Sequence, residues 1–220
     1  WHQKAGRPEA ALAARVRRLR VLAANFTRDD ERQVVRADLQ RVIEATQTLP
    51  FSAWARAELA DLLRGVGSLE AARDVAKIGA TAFPTSIGGQ RCKAMVEQLQ
   101  APDFNITVTQ HDGPGQRSLQ VRAKNLNALH FQAYRLTLDE VLKAAGSEAV
   151  LPQGDRLKAL LKGHEPVRWS LELPATPDLK EHVTSVKPPL TQEGVWVIRA
   201  SARQSFDDVD NRIVEATMVV

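Results

Sequence analysis

The chain has 220 residues, 44% of them apolar and 25% charged, with a net charge of +4. These are globular proportions, which exclude a low-complexity or disordered chain, and no run approaches the roughly 20 apolar residues that cross a bilayer. One cysteine, Cys92, excludes an intrachain disulfide, so hydrophobic cores must hold the fold.

The chain does not begin with Met, and Trp1-His2-Gln3-Lys4 does not read as a signal peptide. The expectation is a piece cut from a longer precursor. Charge is uneven along it: residues 1–101 carry +5 and residues 102–220 carry −1. The basic excess is densest at Arg15, Arg17, Arg18 and Arg20. A nucleic-acid or anionic-membrane patch is one reading, and a solvated helix face beside an apolar stripe is the other. No aromatic residues interleave these arginines for stacking on bases, so no nucleic-acid partner is expected.

Apolar residues recur at helical period through the first hundred positions. Leu12, Val16, Leu19, Leu22 and Phe26 make the first stripe. Thr27 reads as the start of a second helix, with Asp29, Asp30 and Glu31 favourably placed against its N-terminal dipole. Val35, Leu39, Val42 and Leu49 continue it to Pro50. Ser52 reads as the cap of a third helix, with Leu59, Leu62, Leu63 and Val66 inside; Gly67-Ser68 reads as a stop followed by a cap. Leu69, Ala72, Ala76, Gly79 and Phe83 give a fourth helix ended by Pro84, its small residues permitting close approach to a neighbour. A fifth runs from about Ser86 to Gln100. There Cys92 falls at helical spacing with Met95, Val96 and Leu99, which predicts a buried small apolar role for the cysteine rather than a reactive thiol. Short connections imply antiparallel hairpins. Ser52 to Leu99 resembles a tetratricopeptide-type hairpin plus one further helix, without a repeat at that family's period of roughly 34 residues.

Near Ala101-Pro102 the apolar period changes from 3.6 to 2. Phe104, Ile106 and Val108 alternate with polar residues up to a turn at Gly113-Pro114-Gly115. Leu119, Val121 and Ala123 follow, then a break at Asn125-Leu126-Asn127 and a run from Leu129 to Leu138. An insertion over Asp139–Gly163 reads as partly helical, through Asp139–Ala145 and Asp155–Leu161. Strands resume at Trp169, Leu171 and Leu173, and around Glu181–Val186. Trp196, Ile198, Ala200 and Ala202 point one way and Arg199, Ser201 and Arg203 the other. After a turn at Asp207–Asn211, Val214, Ala216, Met218 and Val220 complete the set. About seven short strands suit a fibronectin-like sandwich of antiparallel sheets, each with one wet face. Trp169 and Trp196 are its expected core anchors. The organisation is therefore an α-hairpin domain over 1–101 and a β-sandwich over 102–220.

Catalytic and ligand signatures are missing. His2, His111, His130, His164 and His182 form no H-E-x-x-H, and no Cys–His spacing suits zinc. There is no nucleophile elbow and no phosphate-binding loop. Gly65-Val66-Gly67 supplies two glycines, with Glu70 where a dinucleotide fingerprint needs its third. Asp207-Asp208-Val209-Asp210-Asn211 groups oxygen donors that could hold Ca²⁺, but lacks an EF-hand's glycine and distal Glu; a hairpin turn built on Asp and Asn is the plainer reading. No catalytic, cofactor-binding or metal-binding residue is assigned.

Several segments resemble the N-terminal part of bacterial α2-macroglobulin-like proteins. They are Phe83-Pro84-Thr85-Ser86 and Cys92; Ala101-Pro102-Asp103-Phe104-Asn105-Ile106; Lys124-Asn125-Leu126; Leu129-His130-Phe131-Gln132-Ala133-Tyr134-Arg135-Leu136; Trp169-Ser170-Leu171-Glu172-Leu173-Pro174; and Pro189-Leu190 leading to Gly194-Val195-Trp196-Val197-Ile198. The likeness covers roughly residues 80–220 and lies in hydrophobics and turns rather than a catalytic motif. The family commonly has Tyr where this chain has Trp196, and the insertion at 139–163 departs from a minimal sandwich. The resemblance implies a long periplasmic or secreted chain of serial macroglobulin (MG) domains that traps proteases. It further implies that this segment is structural scaffold: Cys92 is followed by Lys93-Ala94-Met95, not by the Cys-x-x-Gln element of a thioester, and no bait region is identified. Its expected partners are other domains of the parent chain, and a target protease met through the full-length protein. A membrane would enter only through an anchor outside this segment. A peptide-binding adaptor using the α-hairpin groove is the alternative, and no enzyme activity is expected.

Overall fold

Among the described residues, the apolar stripes of the first hundred positions form five helices, and the alternating residues beyond them form two antiparallel sheets. The structure is a computed structural model that describes residues 8–26, 28–108, 118–145, 151–207 and 209–220. The chain divides into two compact units. One runs to Ala101 and takes in Pro177–Leu179; the other comprises Pro102–Thr176 and Lys180–Val220. Among the described residues no helix is long and apolar enough to cross a membrane.

The helical unit contains α1 (Pro8–Asn25), α2 (Asp29–Ala45), α3 (Phe51–Gly65), α4 (Leu69–Ala82) and α5 (Ile87–Gln100). Val16, Leu19, Val35, Leu39, Val42, Leu59, Leu63, Cys92, Met95 and Leu99 share one buried cluster, which Leu179 joins. Each large side chain among them contributes about 1.5–3 kcal/mol by leaving water.

The helix ends correct several sequence expectations. Thr27 lies outside the described residues. Arg28 stands at the N-cap of α2 without a side-chain cap bond, its guanidinium pairing instead with Asp30, and Asp29, Asp30 and Glu31 fill the first turn. α2 stops at Ala45, before the expected limit: Thr46 leaves helical angles (φ −127°, ψ 21°), its N–H turning to the Ile43 carbonyl while its buried hydroxyl donates to the Val42 carbonyl at 2.7 Å. Leu49 therefore sits in the following turn, 45% exposed, and not on the apolar stripe. Ser52 does not cap α3. Pro50 already has helical angles (φ −56°, ψ −21°), so Ser52 falls inside the first turn, where its hydroxyl is buried without a hydrogen-bond partner. Val66 is not inside α3 either; it stands at the C-cap, exposed. There Gly67 (φ 77°) ends the helix in a Schellman motif: Ser68 N–H donates to the Leu63 carbonyl at 2.9 Å and Gly67 N–H to Arg64 at 3.0 Å. Ser68 precedes α4 without a side-chain cap bond. Ser86 does cap α5, accepting from Gly89 N–H at 3.0 Å while donating to the Phe83 carbonyl at 2.9 Å.

Small residues bring α3, α4 and α5 together. Ala72, Ala76 and Gly79 are buried on α4, and a Cβ on Gly79 would stand 2.7 Å from Cys92 Sγ. A Cβ on Gly88 would lie 2.3 Å from the Trp54 backbone nitrogen, so the first turn of α5 rests directly on the main chain of α3.

The second unit contains β1 (Asp103–Val108), β2 (Leu119–Lys124), β3 (Ala128–Leu136), α6 (Leu138–Ala145), α7 (Asp155–Leu161), β4 (Val167–Glu172), β5 (His182–Val186), β6 (Val195–Ser201) and β7 (Ile213–Val219). One sheet runs β1-β2-β5 and the other β4-β3-β6-β7, every pairing antiparallel. Phe104, Ile106, Leu119 and Val121 from the first share a cluster with Leu129, Phe131, Ala133, Trp196, Ile198 and Ala200 from the second. Phe131 lies opposite Trp169 in register and stacks on it, rings 5° apart in tilt and 4.8 Å between centroids. Trp196 is buried and donates Nε1–H to the Gln192 carbonyl at 3.0 Å. Trp169 is only partly buried, yet its Nε1 is enclosed without a partner.

The expected wet face holds for β1 and β2, where Asn105, Thr107, Gln120 and Arg122 are exposed. It fails for β3 and β6. Leu136 and Val197 are buried on the opposite face by Leu157 and Leu161 of α7, so the insertion covers part of that sheet with its own small core. Leu138 begins α6 rather than ending β3, because Thr137 and Glu140 form a reciprocal capping box: Thr137 N–H donates to Glu140 Oε2 at 2.8 Å and Glu140 N–H to Thr137 Oγ1 at 3.3 Å. The turn expected at Gly113-Pro114-Gly115 lies outside the described residues.

Gly88→Ala is expected to destabilise the protein by about 3 kcal/mol, since the facing atoms are backbone and cannot yield. Gly65→Ala, which meets nothing within 4 Å, is expected to add about 0.5 kcal/mol. Urea unfolding of both variants checks the pair.

Candidate functional site

The densest ionisable constellation lies in the helical unit around Glu58. Its side chain is 4% exposed, on the α3 face that carries Ala55, Leu59 and Leu62. A carboxylate placed there must be paired or its burial would be costly. Arg91 Nη1 of α5 donates to Glu58 Oε1 at 2.6 Å, and Trp54 Nε1, one turn earlier on α3, donates to the same oxygen at 3.2 Å. Arg20 of α1 brings its Nε to 3.9 Å from Oε2. Arg91 Nη2 also donates to Asp61 at 3.1 Å, and Arg64 to the other Asp61 oxygen at 2.9 Å. Partial burial alone would lower the Arg91 pKa, but the hydrogen bonds and charges of Glu58 and Asp61 outweigh it and hold the guanidinium above its ordinary value.

A cleft of about 560 Å³ opens beside this network. Arg17, Arg20 and Arg91 supply its cations, and Phe51, Trp54 and Ile87 its apolar wall. Phe51 and Trp54 lie 5.7 Å apart between ring centroids at a 42° tilt. A second hollow of about 410 Å³ lies on the other side of Arg20, against Arg32, Asp61 and Arg64. In the β unit a third, of about 770 Å³, is lined chiefly by Val141, Leu151, Leu157, Val197, Val214 and Ala216 and holds no cluster of ionisable groups.

The sequence-selected residues are distributed otherwise. Arg15 pairs with Asp38 of α2 at 3.2 Å, Arg18 is solvated, and Arg17 and Arg20 turn to the cleft, so the four arginines do not form one patch. Cys92 is fully buried, its Sγ 3.4 Å from the Ala53 carbonyl. Burial pushes its thiol up to about 11, against the opposing pull of Arg91 and Arg56, so desolvation wins over the nearby cations. His130 bonds Ser170 at 2.7 Å, and His164 stands 3.2 Å from Glu140, whose carboxyl is held below its usual range first by the Thr137 cap bonds and then by His164. His2 and His111 lie outside the described residues. Asp207 and Asn211 lie between β6 and β7, where Asn211 donates to the Asp207 carbonyl at 2.8 Å and accepts from Ser201 at 3.0 Å; Asp208 lies outside the described residues. Among the described residues no group of three His, Cys, Asp or Glu is placed to hold a metal ion.

Sequence reasoning missed Trp54, Glu58, Asp61 and Arg91. The spacing Trp54-Glu58 and Glu58-Asp61 puts three polar-tipped residues on one helix face, a signal that was present. The partner Arg91, 33 residues from Glu58, had none.

Glu58→Ala is expected to cost about 2 kcal/mol, below the 3–5 typical of a fully buried pair because Arg91 keeps a third of its side chain in water. The double change Glu58→Ala with Arg91→Ala is expected to cost less than the sum of the two single changes, which denaturant titration of all three variants measures. A second expectation concerns pH. The unfolded thiol ionises near 9 and the folded one near 11, so stability present below pH 9 falls as pH rises to 11. Urea midpoints at pH 8 and 10.5 should drop more in the wild type than in Cys92→Ala.

No family model, curated protein or solved structure matches this chain.

Proposed function

We propose that this chain is a non-catalytic scaffold segment of a macroglobulin-like protease-trapping protein. The observation that supports it best is where its chemically capable groups are engaged. Glu58, Arg91 and Asp61 satisfy one another, His130 and His164 bond neighbouring side chains, and the Cys92 thiol is sealed in an apolar cluster. A three-stranded sheet facing a four-stranded one across a single apolar cluster suits the fibronectin-like MG reading. In this reading each unit is rigid in itself and transmits a conformational change made elsewhere in a parent chain. The target protease is met by that whole protein, and the setting is periplasmic or extracellular.

A second reading, a peptide-binding adaptor, is favoured by the arginine-lined cleft on the helical unit. It needs no contribution from the β unit.

The scaffold reading makes a plain prediction. Mixed at equal molarity with serine, cysteine and metalloproteases, the chain leaves their hydrolysis of protein substrates unchanged and forms no denaturant-stable adduct. Stoichiometric inhibition or a covalent complex would overturn it.

A further inference from the structure

We propose that the cleft bounded by α1, α3 and α5 binds a peptide segment in which carboxylates stand beside Leu or Phe side chains. The inference rests on the adaptor reading and names its occupant.

Charge gives the first half of that specificity. Arg17, Arg20 and Arg91 face the cleft. Arg91 is held by Glu58 and Asp61, but Arg20 makes only a long contact with Glu58 and stays 66% exposed. Arg17 is exposed and makes no ion pair among the described residues. The lining therefore carries uncompensated positive charge directed at solvent, which favours a carboxylate partner and repels a basic one.

The apolar wall gives the second half. Ile87, in the first turn of α5, is 82% exposed, more than any other large apolar side chain among the described residues. Helix chemistry would favour an acidic or polar residue there. Trp54 is fixed in place by its bond to Glu58, so it presents a ring without a further ordering cost on binding. Arg and Trp together are the residues that most often carry binding energy at protein interfaces. A volume of about 560 Å³ accommodates a few side chains of an extended segment.

Other anionic partners fit less well. Single-stranded nucleic acid needs open ring faces, whereas Phe51 and Trp54 are partly buried and tilted against each other. A membrane surface needs a continuous apolar face, but α5 exposes Gln90, Lys93, Glu97 and Gln98 beyond Ile87.

Fluorescence anisotropy of the full chain with labelled peptides tests the proposal. One peptide alternates Glu with Leu and Phe, a second replaces Glu by Lys, and a third replaces Leu and Phe by Ser. The first should bind saturably, and the other two at least about tenfold more weakly. Arg17→Glu and Ile87→Asp should each weaken the first peptide about tenfold, while thermal melting shows both variants folded. Both sites are exposed, so loss of fold does not confuse the result. Equal binding of the Glu and Lys peptides, or tighter binding of a single-stranded oligonucleotide competing for the same residues, overturns the proposal. Binding of the Glu peptide that ignores both variants removes this cleft but leaves the adaptor reading standing. No binding of any peptide removes both.

Discussion

The helical unit depends on how closely α5 can approach α3. That approach is set by what is missing from the side chains between them: a Cβ at Gly88 would overlap the backbone at Trp54, while the bare Gly79 of α4 lets that helix close on Cys92 of α5. Because the helices meet main chain to main chain at this end, Arg91 reaches across to Glu58 and Asp61. A wider spacing would leave a carboxylate 4% exposed with no strong partner, a state that costs several kcal/mol. Close packing thus comes first, and the buried charge is tolerated because of it. Trp54 is then fixed by the same carboxylate, and the cleft takes its shape from these pairings.

The β unit solves a different problem. Strict alternation on β1 and β2 lets one face remain wet, with apolar side chains turned to a shared core. β3 and β6 carry apolar residues on both faces, at Leu136 and Val197 as well as at Phe131 and Ile198, and so require a second cover. α7 provides it. The segment that looks like an interruption of the sandwich is therefore part of its packing. Arg212 does related work at the far end of the chain: it pairs with Asp103 at the start of β1 and lies 5.4 Å from the centre of the Phe104 ring.

Much of this architecture was legible in the residue pattern, because period and capping are local. The change of spacing after Ala101 marks the passage from helices to strands, and the fifth helix, read from about Ser86, does begin there. The helical pieces of the insertion could be read to within a residue or so. Errors arose where local chemistry competed. Ser52 has the composition of a cap, but Pro50 had already imposed helical angles two residues earlier. Leu49 continues a periodic stripe, but Thr46 closes the helix before it. The candidate site was nearly illegible for another reason. The spacing of Trp54, Glu58 and Asp61 marks a shared helix face, but only the tertiary approach of α5 shows Glu58 to be buried beside Arg91. The arginines of α1, close together in sequence, allow a basic patch or a solvated face; all four are exposed, and helical geometry sends Arg15 to Asp38 and Arg17 and Arg20 to the cleft.

What separates the cleft from an ordinary structural ion network is the difference among its three arginines. A network that exists only to hold helices together gains nothing from a cation left in solvent, since the unmatched charge repels its neighbours and adds no bond. Arg91 is fully engaged and Arg20 only weakly so; Arg17, one helical turn from Arg20, makes no ion pair among the described residues. Two such cations beside an exposed Ile87 and an anchored Trp54 form an uncompensated polar edge along an apolar wall. Both defects are removed together by a single kind of ligand, one that brings a negative charge and an apolar side chain within a few ångströms of each other.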